Sequence, residues 1–374
     1  MERYTPKVMG QASASLPLAR VLGELTREGE VYDRLPDGAV RCHACGHRCL
    51  VLEGRMGVCK VRFNEGGALR VPWGYVGALQ CDPIEKKPFF HVLPGSLALS
   101  FGMLGCDYHC AYCQNWITSQ AIRDPEAVAE PRRIEPRDLT RLARRLGAPV
   151  VASTYNEPLI TSEWAVAIFR EAQKEGLLCA YISNGNGTER VLDYIQPYVS
   201  LYKVDLKSFR DRNYRSLGGT LDAVVRTIES IWRRGIWLEI VTLVVPGFND
   251  APEELRDIAR FLRALSPDIP WHLTAFHKDY RMTEPDETDA AALRRAAGIG
   301  REEGLRFVYA GNLPGRVGDL EDTRCPGCGA VLIARVGYRV DACRVTATGT
   351  CPGCQLPVPG VWRGGVRHPA LPAG

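Results

Sequence analysis

Apolar and polar positions follow two different periods through the middle of the chain. Apolar runs of strand length predict seven β-strands, at Leu97–Met103, Val150–Thr154, Leu177–Ser183, Leu201–Leu206, Ile236–Val245, Trp271–Phe276 and Leu305–Ala310. The segments between these runs have helical spacing, and strands that alternate with helices build a parallel sheet. Because seven strands are too few for a closed eight-stranded barrel, we predict an α/β fold with a partial (β/α) TIM-like barrel.

Particular residues mark the ends of the predicted helices. Pro136 begins one helix, which Gly147 ends. Thr220 caps a second helix, which Gly235 ends, and Pro252 begins a third. Since ligands of parallel α/β folds bind where the strands end, we expect the chemistry in the loops that follow the strands.

Composition and charge narrow the class of protein. The chain has 374 residues, of which 45% are hydrophobic and 24% charged, as in an ordinary globular protein of two or three domains. This excludes a disordered or collagen-like chain, and 14 Cys are too few for a small disulfide-stapled scaffold. A net charge of +4 does not by itself indicate nucleic acid or an anionic membrane as a partner.

The hydropathy pattern carries no targeting signal. The first twenty residues lack the apolar core of a secretory signal, and no apolar run reaches the roughly 18 residues of a membrane span. The best candidate, Ile236–Phe248, contains Glu239 and is predicted to be a buried strand. We therefore expect a cytoplasmic protein with reduced thiols, in which clustered cysteines bind metal or do chemistry.

Most of the cysteines fall into three groups. The groups are Cys42, Cys45, Cys49 and Cys59; then Cys106, Cys110 and Cys113; and finally Cys325, Cys328, Cys351 and Cys354. Cys81, Cys179 and Cys343 stand alone and receive no role. The groups predict three domains: an N-terminal Cys-rich metal-binding segment (1–95), the barrel (96–315) and a C-terminal zinc ribbon (316–374).

The second group follows the first predicted barrel strand with the spacing C-x3-C-x2-C. Three thiolates on a short loop can hold three irons of a [4Fe–4S] cluster and leave the fourth iron open to a substrate. Zinc is the alternative, but a structural zinc takes four ligands. Cys81 is distant in sequence and His109 lies inside the loop, so we favour the cluster.

The two outer groups predict further metal sites. Cys325-Pro-Gly-Cys328 and Cys351-Pro-Gly-Cys354 are paired knuckles, and a strand at Val331–Val336 lies between them, which is typical of a four-thiolate zinc ribbon. The N-terminal group suits zinc or a second cluster, and its spacing does not decide between them. Residues 316–374 have a net charge of +3, but they lack the stacking aromatics and the recognition helix of a nucleic-acid-binding segment.

Tyr112 and several neighbouring motifs carry a family resemblance. The motifs are Asp82-Pro-Ile-Glu-Lys-Lys-Pro88, Leu93-Pro-Gly-Ser96, Cys113-Gln-Asn-Trp116, Thr154-Tyr-Asn-Glu-Pro158, Val204-Asp-Leu-Lys207 and Gly311-Asn-Leu-Pro-Gly315. With the C-x3-C-x2-C loop they resemble the AmmeMemoRadiSam system radical S-adenosylmethionine (SAM) enzyme, which is related to the pyruvate formate-lyase activating enzymes. The resemblance extends from Cys42 to Trp362.

This resemblance implies a radical SAM barrel and an activating-enzyme-like oxidoreductase. In such enzymes the amino and carboxylate groups of SAM chelate the open iron. One electron from the reduced [4Fe–4S] cluster then cleaves the sulfonium bond, and the 5′-deoxyadenosyl radical abstracts hydrogen from the substrate. The resemblance also implies an electron donor such as flavodoxin or ferredoxin.

The resemblance assigns SAM-binding residues by position. Glu157 is matched to a Glu that meets the SAM ammonium, although Tyr155-Asn156 replaces the glycines of that turn. Lys207, with Asp205, is matched to a Lys that reaches the SAM carboxylate. The remaining positions of this kind are Ser183, Asn184 and His277. The resemblance does not extend to a monovalent-cation site, since Ser183 replaces an Asp there. A helix-start carboxylate at Glu157 and a buried salt pair at Asp205 are the structural alternatives.

Two substrate classes stay open at this point. One is a glycine of a partner protein, on which an activating enzyme would generate a glycyl radical. The other is a small molecule or another protein, in a pathway with Memo-like and AMMECR-type partner proteins. The alternative to an enzyme is a non-catalytic zinc-ribbon interaction protein on a radical SAM scaffold. Arg335-Val-Gly-Tyr338 is similar to the radical-bearing loop of glycyl-radical enzymes but lacks one residue, and we predict that it is an ordinary ribbon strand.

Overall fold

The structure is a computed structural model that describes residues 18–124, 127, 131–363 and 365–367. The expectation about the first twenty residues falls mostly outside this part. Among the helices that are described, none combines the length and the apolar character needed to span a lipid bilayer.

The N-terminal segment consists of short antiparallel strands. After helix α1 (Leu18–Glu24) they are β1 (Thr26–Glu28), β2 (Tyr32–Arg34), β3 (Val40–Cys42), β4 (Leu50–Val51), β5 (Phe63–Glu65), β6 (Ala68–Pro72) and β7 (Tyr75–Val76). The first six strands form two three-stranded sheets, ordered β1-β6-β5 and β2-β3-β4. Cys42 ends β3, and the turns before and after β4 carry the other three cysteines of the first group, Cys45, Cys49 and Cys59.

The central sheet has eight strands. The strands that follow β7 are β8 (Ala78–Pro83), β9 (Leu97–Gly102), β10 (Arg132–Arg133), β11 (Val150–Ser153), β12 (Leu178–Ser183), β13 (Leu201–Asp205), β14 (Trp237–Val244), β15 (Trp271–Ala275) and β16 (Val308–Gly311). β10 pairs with β7, and the others lie in the order β16-β15-β14-β13-β12-β11-β9-β8. The seven strands from β9 to β16 are parallel, and β8 runs antiparallel at one edge.

Helices connect the parallel strands. They are α2 (Trp116–Ser119), α3 (Pro136–Arg145), α4 (Ser162–Lys174), α5 (Glu189–Ile195), α6 (Asp211–Leu217), α7 (Leu221–Arg233), α8 (Pro252–Leu265) and α9 (Ala290–Glu302). Single 3₁₀ turns lie at Ile84–Lys86, Ala121–Arg123, Pro158–Thr161 and Gly318–Glu321. Pro136 and Pro252 each occupy the first turn of a helix, and Thr220 accepts a hydrogen bond from the Ala223 amide at 3.4 Å, as predicted.

The predicted partial barrel is confirmed. All seven predicted strands are present, although the last begins at Val308 instead of Leu305. The strand order follows the chain order, and within the described residues the edge strands β16 and β8 do not pair, so the barrel is open. The pattern missed β8, because this edge strand is only half-buried and ends in Asp82 and Pro83. β8 lies inside the predicted segment 1–95, yet it pairs along its length with β9.

One end of the barrel is filled, which leaves the other for chemistry. An apolar cluster fills the end where the parallel strands begin, with members Ile84, Phe89, Val92, Ala98, Val150, Ala152, Ala180, Leu201, Trp237 and Val361. The buried carboxylate of Glu239 fixes the loop beneath it by accepting hydrogen bonds from the Phe90 and His91 amides, both at 3.0 Å. Open space inside the barrel is therefore found toward the carboxyl ends of the strands.

The C-terminal segment packs against the filled end of the barrel. Its strands are β17 (Thr323–Arg324), β18 (Val331–Val336), β19 (Arg339–Cys343), β20 (Gly360–Trp362) and β21 (Gly365–Arg367). Buried Arg335 donates to the Phe90 carbonyl at 2.6 Å and to Thr323 Oγ1 at 2.8 Å. Leu332 and Ile333 share an apolar cluster with Phe307 and Tyr309 of the barrel. The C-terminal segment therefore shares a core with the barrel, and its separation as a domain stays a prediction.

Candidate functional site

Three cysteines line a cavity at the mouth of the barrel. Cys106, Cys110 and Cys113 lie in the loop between β9 and α2, where the first parallel strand ends. Their side chains form part of the wall of a cavity of about 380 Å³ inside the barrel. Topology thus places the second cysteine group where the strand pattern predicted chemistry.

The cysteine loop is held in place by its neighbours. The Asp107 carboxylate accepts hydrogen bonds from the side-chain amides of Asn184 and Asn186, both at 2.8 Å. On the other side the loop packs against Gly219, where a Cβ would lie 2.3 Å from the Tyr108 hydroxyl oxygen. A larger residue at position 219 would therefore displace the loop.

The donor set fits a [4Fe–4S] cluster. The amide of Tyr108 donates to Cys106 Sγ at 3.4 Å, and Ser119 Oγ lies 3.0 Å from Cys113 Sγ, and thiolate ligands accept hydrogen bonds of this kind. Burial raises the pKa of the Cys110 thiol to about 12, so a bound cation is needed to keep this sulfur ionised near neutral pH. Within the described residues, the Sγ atoms of Cys106, Cys110 and Cys113 do not all lie within 4.8 Å of one another. As placed, the three sulfurs therefore do not converge on a single ion.

Glu157 lies in the wall of the same cavity and is bonded to its own chain. Its Oε1 accepts hydrogen bonds from Ser183 Oγ at 2.7 Å and from the Leu159 amide at 3.1 Å, and its Oε2 accepts from the Asn184 amide at 2.7 Å. Burial, reinforced by the negative charge of Asp107, raises the pKa of Glu157 to about 8. Glu157 therefore caps the turn that begins at Pro158, which is the structural role predicted as the alternative to SAM binding. The same side chain also lines the cavity.

Asp205 lies between two lysines in the cavity wall. Lys203 Nζ donates to Asp205 Oδ1, and Lys207 Nζ lies 3.6 Å from Asp205 Oδ2. Although burial alone raises it, these two ammonium groups hold the pKa of Asp205 below its ordinary value. The three side chains form a charged strip with one excess positive charge, which an anionic ligand group can approach.

The other three predicted SAM contacts lie at different depths. Ser183 is buried behind the wall, where it bonds to Glu157, whereas Asn184 is part of the wall. His277 is exposed at the rim, with its Nε2 2.9 Å from the side-chain amide of Gln114. It is not among the wall residues that the described chain supplies.

Several residues of the cavity wall were not predicted from the sequence. Lys203 precedes Asp205 by two positions on one strand, so it faces the same side, and strand periodicity was the available signal. Tyr155 has a positive φ of 69°, and its hydroxyl accepts a hydrogen bond from the buried Lys87 ammonium at 3.0 Å. His272 also lines the cavity, and its Nε2 is 2.7 Å from Glu239. The contacts of Tyr155 with Lys87 and of His272 with Glu239 join segments that are distant in sequence, and no local pattern indicates them.

The hairpin formed by β18 and β19 in the C-terminal segment also reaches the cavity. Gly337 and Tyr338, at the turn between β18 and β19, belong to its wall. The Gly337 amide donates to Glu321 at 2.7 Å, and Arg335 is held by the contacts described above. The Arg335–Tyr338 motif thus has a structural role. Its arginine lies in strand β18, as predicted, and its hairpin turn lies beside the opening of the barrel.

The third cysteine group forms a compact thiol cage. Cys325 and Cys354 Sγ lie 3.5 Å apart, Cys328 and Cys351 Sγ lie 3.6 Å apart, and all four sulfurs lie within 4.8 Å of one another. Four thiols at this spacing fit one tetrahedral metal ion. The group can hold a metal, in agreement with the prediction of a metal-binding segment, and zinc as its identity stays a prediction.

We expect Cys351→Ala to lower the metal content by about one ion per chain and to reduce solubility, because three thiols no longer close the coordination shell. Cys343→Ala is the matched control, since Cys343 is an exposed cysteine of the same segment outside the cage. Metal analysis of both variants by mass spectrometry makes the comparison. Iron at the Cys106 loop should persist in both, and its loss in Cys351→Ala would contradict independent assembly of the two sites.

The first cysteine group converges less tightly. Cys42, Cys45 and Cys59 are buried, Cys49 is half-buried, and the described part of the chain shows no three of their sulfurs within 4.8 Å of one another. Burial raises the pKa of the Cys59 thiol to about 12. Zinc or a second cluster therefore stays a prediction for this group.

Comparisons with known proteins agree with this geometry. Residues 102–262 match the model of the Radical SAM superfamily. An isethionate sulfite-lyase activating enzyme of Oleidesulfovibrio alaskensis is 30% identical over 125 residues, which are 33% of this chain and 40% of that protein. The chain thus spans less than half of that enzyme.

Two solved structures align with parts of the chain at low sequence identity. A domain of a pyruvate-formate lyase-activating enzyme from Bacteroides vulgatus aligns over 43% of this chain and 98% of its own, with 18% identity and a TM-score of 0.39. A radical SAM methyltransferase from Sphaerobacter thermophilus aligns over 61% of this chain and 71% of its own, with 16% identity and a TM-score of 0.45.

One relative covers almost the whole chain. The Uncharacterized protein MJ0808 of Methanocaldococcus jannaschii is 36% identical over 311 residues, which are 83% of this chain and 91% of that protein. Together with the superfamily match and the cysteine loop at the barrel mouth, this similarity shows that the chain carries a radical SAM domain and belongs to the same protein family as MJ0808.

Proposed function

We propose that this protein is a radical SAM enzyme that cleaves SAM reductively and abstracts hydrogen from a substrate in the barrel cavity. The observation that carries the proposal is that one cavity brings the cysteine triad together with Glu157, Asp205 and Lys207. When bound, the [4Fe–4S] cluster and SAM supply the one-electron cleavage and the hydrogen-abstracting group. Cys106, Cys110 and Cys113 would hold the cluster.

The remaining residues of the wall bind and orient. Lys207 and Lys203 supply positive charge for the SAM carboxylate, and Asp205 holds both ammonium groups in position. The polar side chains of Glu157 and Asn184 face the same space and suit the SAM ammonium. The filled end of the barrel excludes water from below, which strengthens electrostatic interactions in the cavity.

For the substrate we propose a glycine of a partner protein. The similarity to an activating enzyme over a third of the chain supports this class. The motif resemblance supports membership of the AmmeMemoRadiSam system, with Memo-like and AMMECR-type proteins as partners, and the clustered reduced thiols support a cytoplasmic location. This activity makes the protein an oxidoreductase.

The test is anaerobic SAM cleavage. Protein reconstituted with iron and sulfide is mixed with SAM and dithionite, and 5′-deoxyadenosine and methionine are quantified. We expect both products in equal amounts, with a rate that rises when the partner protein is added. A fully loaded protein that forms neither product, with or without candidate partner proteins, would show that the barrel is a scaffold.

Lys207→Ala is expected to weaken SAM binding about tenfold, because one charge-assisted contact to a carboxylate is worth roughly 1.5 kcal/mol. Calorimetric titration of the loaded protein with SAM measures the affinity. Lys86→Ala is the matched control, since Lys86 is a more exposed wall lysine that pairs with Asp82. Equal affinities for the wild type and Lys207→Ala would remove Lys207 from the SAM site.

A further inference from the structure

Four apolar side chains are exposed around Cys49. Leu50 and Leu52 are each 53% exposed, Met56 is 49% exposed and Val58 is 40% exposed. They lie on neighbouring segments, since a Cβ at Gly57 would be 3.5 Å from Cys49 Sγ. Four exposed apolar residues within nine positions form a patch of the kind that binds another protein.

The rim of this patch is basic. The exposed side chains Arg48, Arg55 and Lys60 form no ion pair within the described residues. Within the described residues, the nearby Glu53 carboxylate forms no ion pair with these side chains. Its two oxygens accept hydrogen bonds from the Gly66 and Gly67 amides at 2.9 and 3.2 Å instead. We call these four apolar and three basic side chains (Leu50, Leu52, Met56, Val58, Arg48, Arg55 and Lys60) the Cys49 patch.

The Cys49 patch lies next to the outer side of the cysteine loop. The Arg123 guanidinium donates both to the Val58 carbonyl at 3.3 Å and to the Cys106 carbonyl at 2.9 Å. His47 Nε2 lies 3.2 Å from the Asp107 carbonyl, on the same side. None of the patch residues belongs to the wall of the barrel cavity, as far as the described residues define it. A partner on the patch would therefore approach the cysteine loop without entering the substrate cavity.

We propose that the Cys49 patch is the docking surface for an acidic one-electron carrier protein. This inference rests on the proposed function, which consumes one electron for each SAM cleaved. The carrier is oxidised by one electron and the site at the cysteine loop is reduced by one. Charge complementarity selects an acidic partner and speeds its encounter, while the central apolar side chains supply contact area. The short path from Val58 to Cys106 explains why the electron enters on this face.

The binding test uses a bacterial flavodoxin, a small acidic flavoprotein, and the full-length loaded protein without SAM. Calorimetric titration with oxidised flavodoxin compares the wild type with the triple variant Arg48→Glu, Arg55→Glu and Lys60→Glu. We expect at least about tenfold weaker binding by the variant at low salt, and a smaller difference as salt screens the charges. The matched control reverses Arg145, Arg263 and Arg301, which are exposed in the last turns of α3, α8 and α9, and should bind within about twofold of the wild type.

A second variant removes apolar contact without changing charge. Leu52→Ser with Met56→Ser is expected to weaken flavodoxin binding about fivefold and to leave its salt dependence unchanged. Because both side chains are half-exposed, we expect this variant to fold, and unfolding curves check this. Unchanged affinity in both patch variants would overturn the proposal.

Two reductants separate this proposal from the proposed function. With dithionite, the charge-reversed patch variant should cleave SAM at the wild-type rate, whereas with reduced flavodoxin its rate should fall about tenfold. If the wild type does not cleave SAM with dithionite, with or without candidate partner proteins, the proposed function fails, while the binding titrations still decide the docking surface. A change in sedimentation of the patch variants would show that the patch joins two copies of this chain, which overturns the proposal.

Discussion

Replacement of Cys106, Cys110 or Cys113 by Ala is expected to lower SAM cleavage by at least about 100-fold, since even changes beside metal ligands cost up to that much. Among the described residues these are the three cysteines in the cavity wall, so no further sulfur is at hand to replace a lost ligand. The iron content of each variant should fall in parallel with 5′-deoxyadenosine formation. Both are measured after the same anaerobic reconstitution.

The control for this prediction is Cys81→Ala. Cys81 lies in the edge strand β8, half-buried and outside the cavity wall of the described residues, so its loss should leave iron content and cleavage near wild type. Wild-type turnover in any one of the three triad variants would contradict the assigned ligands. Equal loss in Cys81→Ala would show that the assay reports general damage to the fold.

Arg62→Leu is expected to lower the free energy of unfolding by about 3–5 kcal/mol, because it leaves a buried carboxylate unpaired. The Arg62 and Glu163 side chains are 1% and 0% exposed and form two N–O contacts of 2.7 Å. Glu163 also accepts hydrogen bonds from the Glu30 and Val31 amides at 3.2 and 3.4 Å, so it fastens the N-terminal segment to α4. Urea unfolding of the wild type and the variant measures the loss.

Two further variants identify the cause of that loss. Arg70→Leu breaks a solvent-accessible pair with Glu65, in which the two side chains are 30% and 68% exposed, and should cost less than about 1 kcal/mol. The double variant Arg62→Leu with Glu163→Leu should be more stable than Arg62→Leu alone, because no charge is left stranded. If Arg62→Leu loses no more stability than Arg70→Leu, the ion pair does not fasten the segment.

Acid should affect the wild type and Arg62→Leu in opposite directions. Although burial alone raises it, the Arg62 guanidinium holds the pKa of Glu163 below its ordinary value. The carboxylate therefore stabilises the wild type above its unfolded pKa, and this contribution is lost as the pH falls through the folded pKa. Without Arg62, burial raises the pKa of Glu163, so protonation at falling pH should restore stability. Urea unfolding at about pH 6 and about pH 4 compares the two slopes.

The local pattern was sufficient for the parallel strands and their helices. Leu201–Asp205 and Trp237–Val244 are apolar because both faces of a parallel strand are buried, and that requirement is visible residue by residue. Pro136 and Thr220 mark helix starts through their own backbone and side-chain chemistry, which needs no distant partner. The edge strand Ala78–Pro83 was not predicted from the sequence, because its residues are only partly buried.

The residues of the candidate site also divide into those that a local sequence pattern indicates and those that depend on tertiary contacts. The spacing of Cys106, Cys110 and Cys113 indicates a metal centre because all three ligands lie on one loop. Lys203 was within reach of strand periodicity, but the approach of Tyr155 to Lys87 depends on a positive φ and on the contact between the segment after β8 and the loop after β11. For His277 the SAM contact stays a prediction, since its exposed ring lies at the rim and reaches the wall residue Gln114.

The sequence by itself determined the parallel βα units, the cysteine loop at the end of the first parallel strand and the two flanking thiol groups, because these depend on periodicity and on short spacings. Only the tertiary structure decided that the C-terminal segment shares a core with the barrel and that its β18–β19 hairpin turn joins the cavity wall. Arg335 bonds to Phe90 across 245 positions, and Arg62 bonds to Glu163 across 101. Such contacts depend on the path of the whole chain, because neither partner's immediate neighbours select the other.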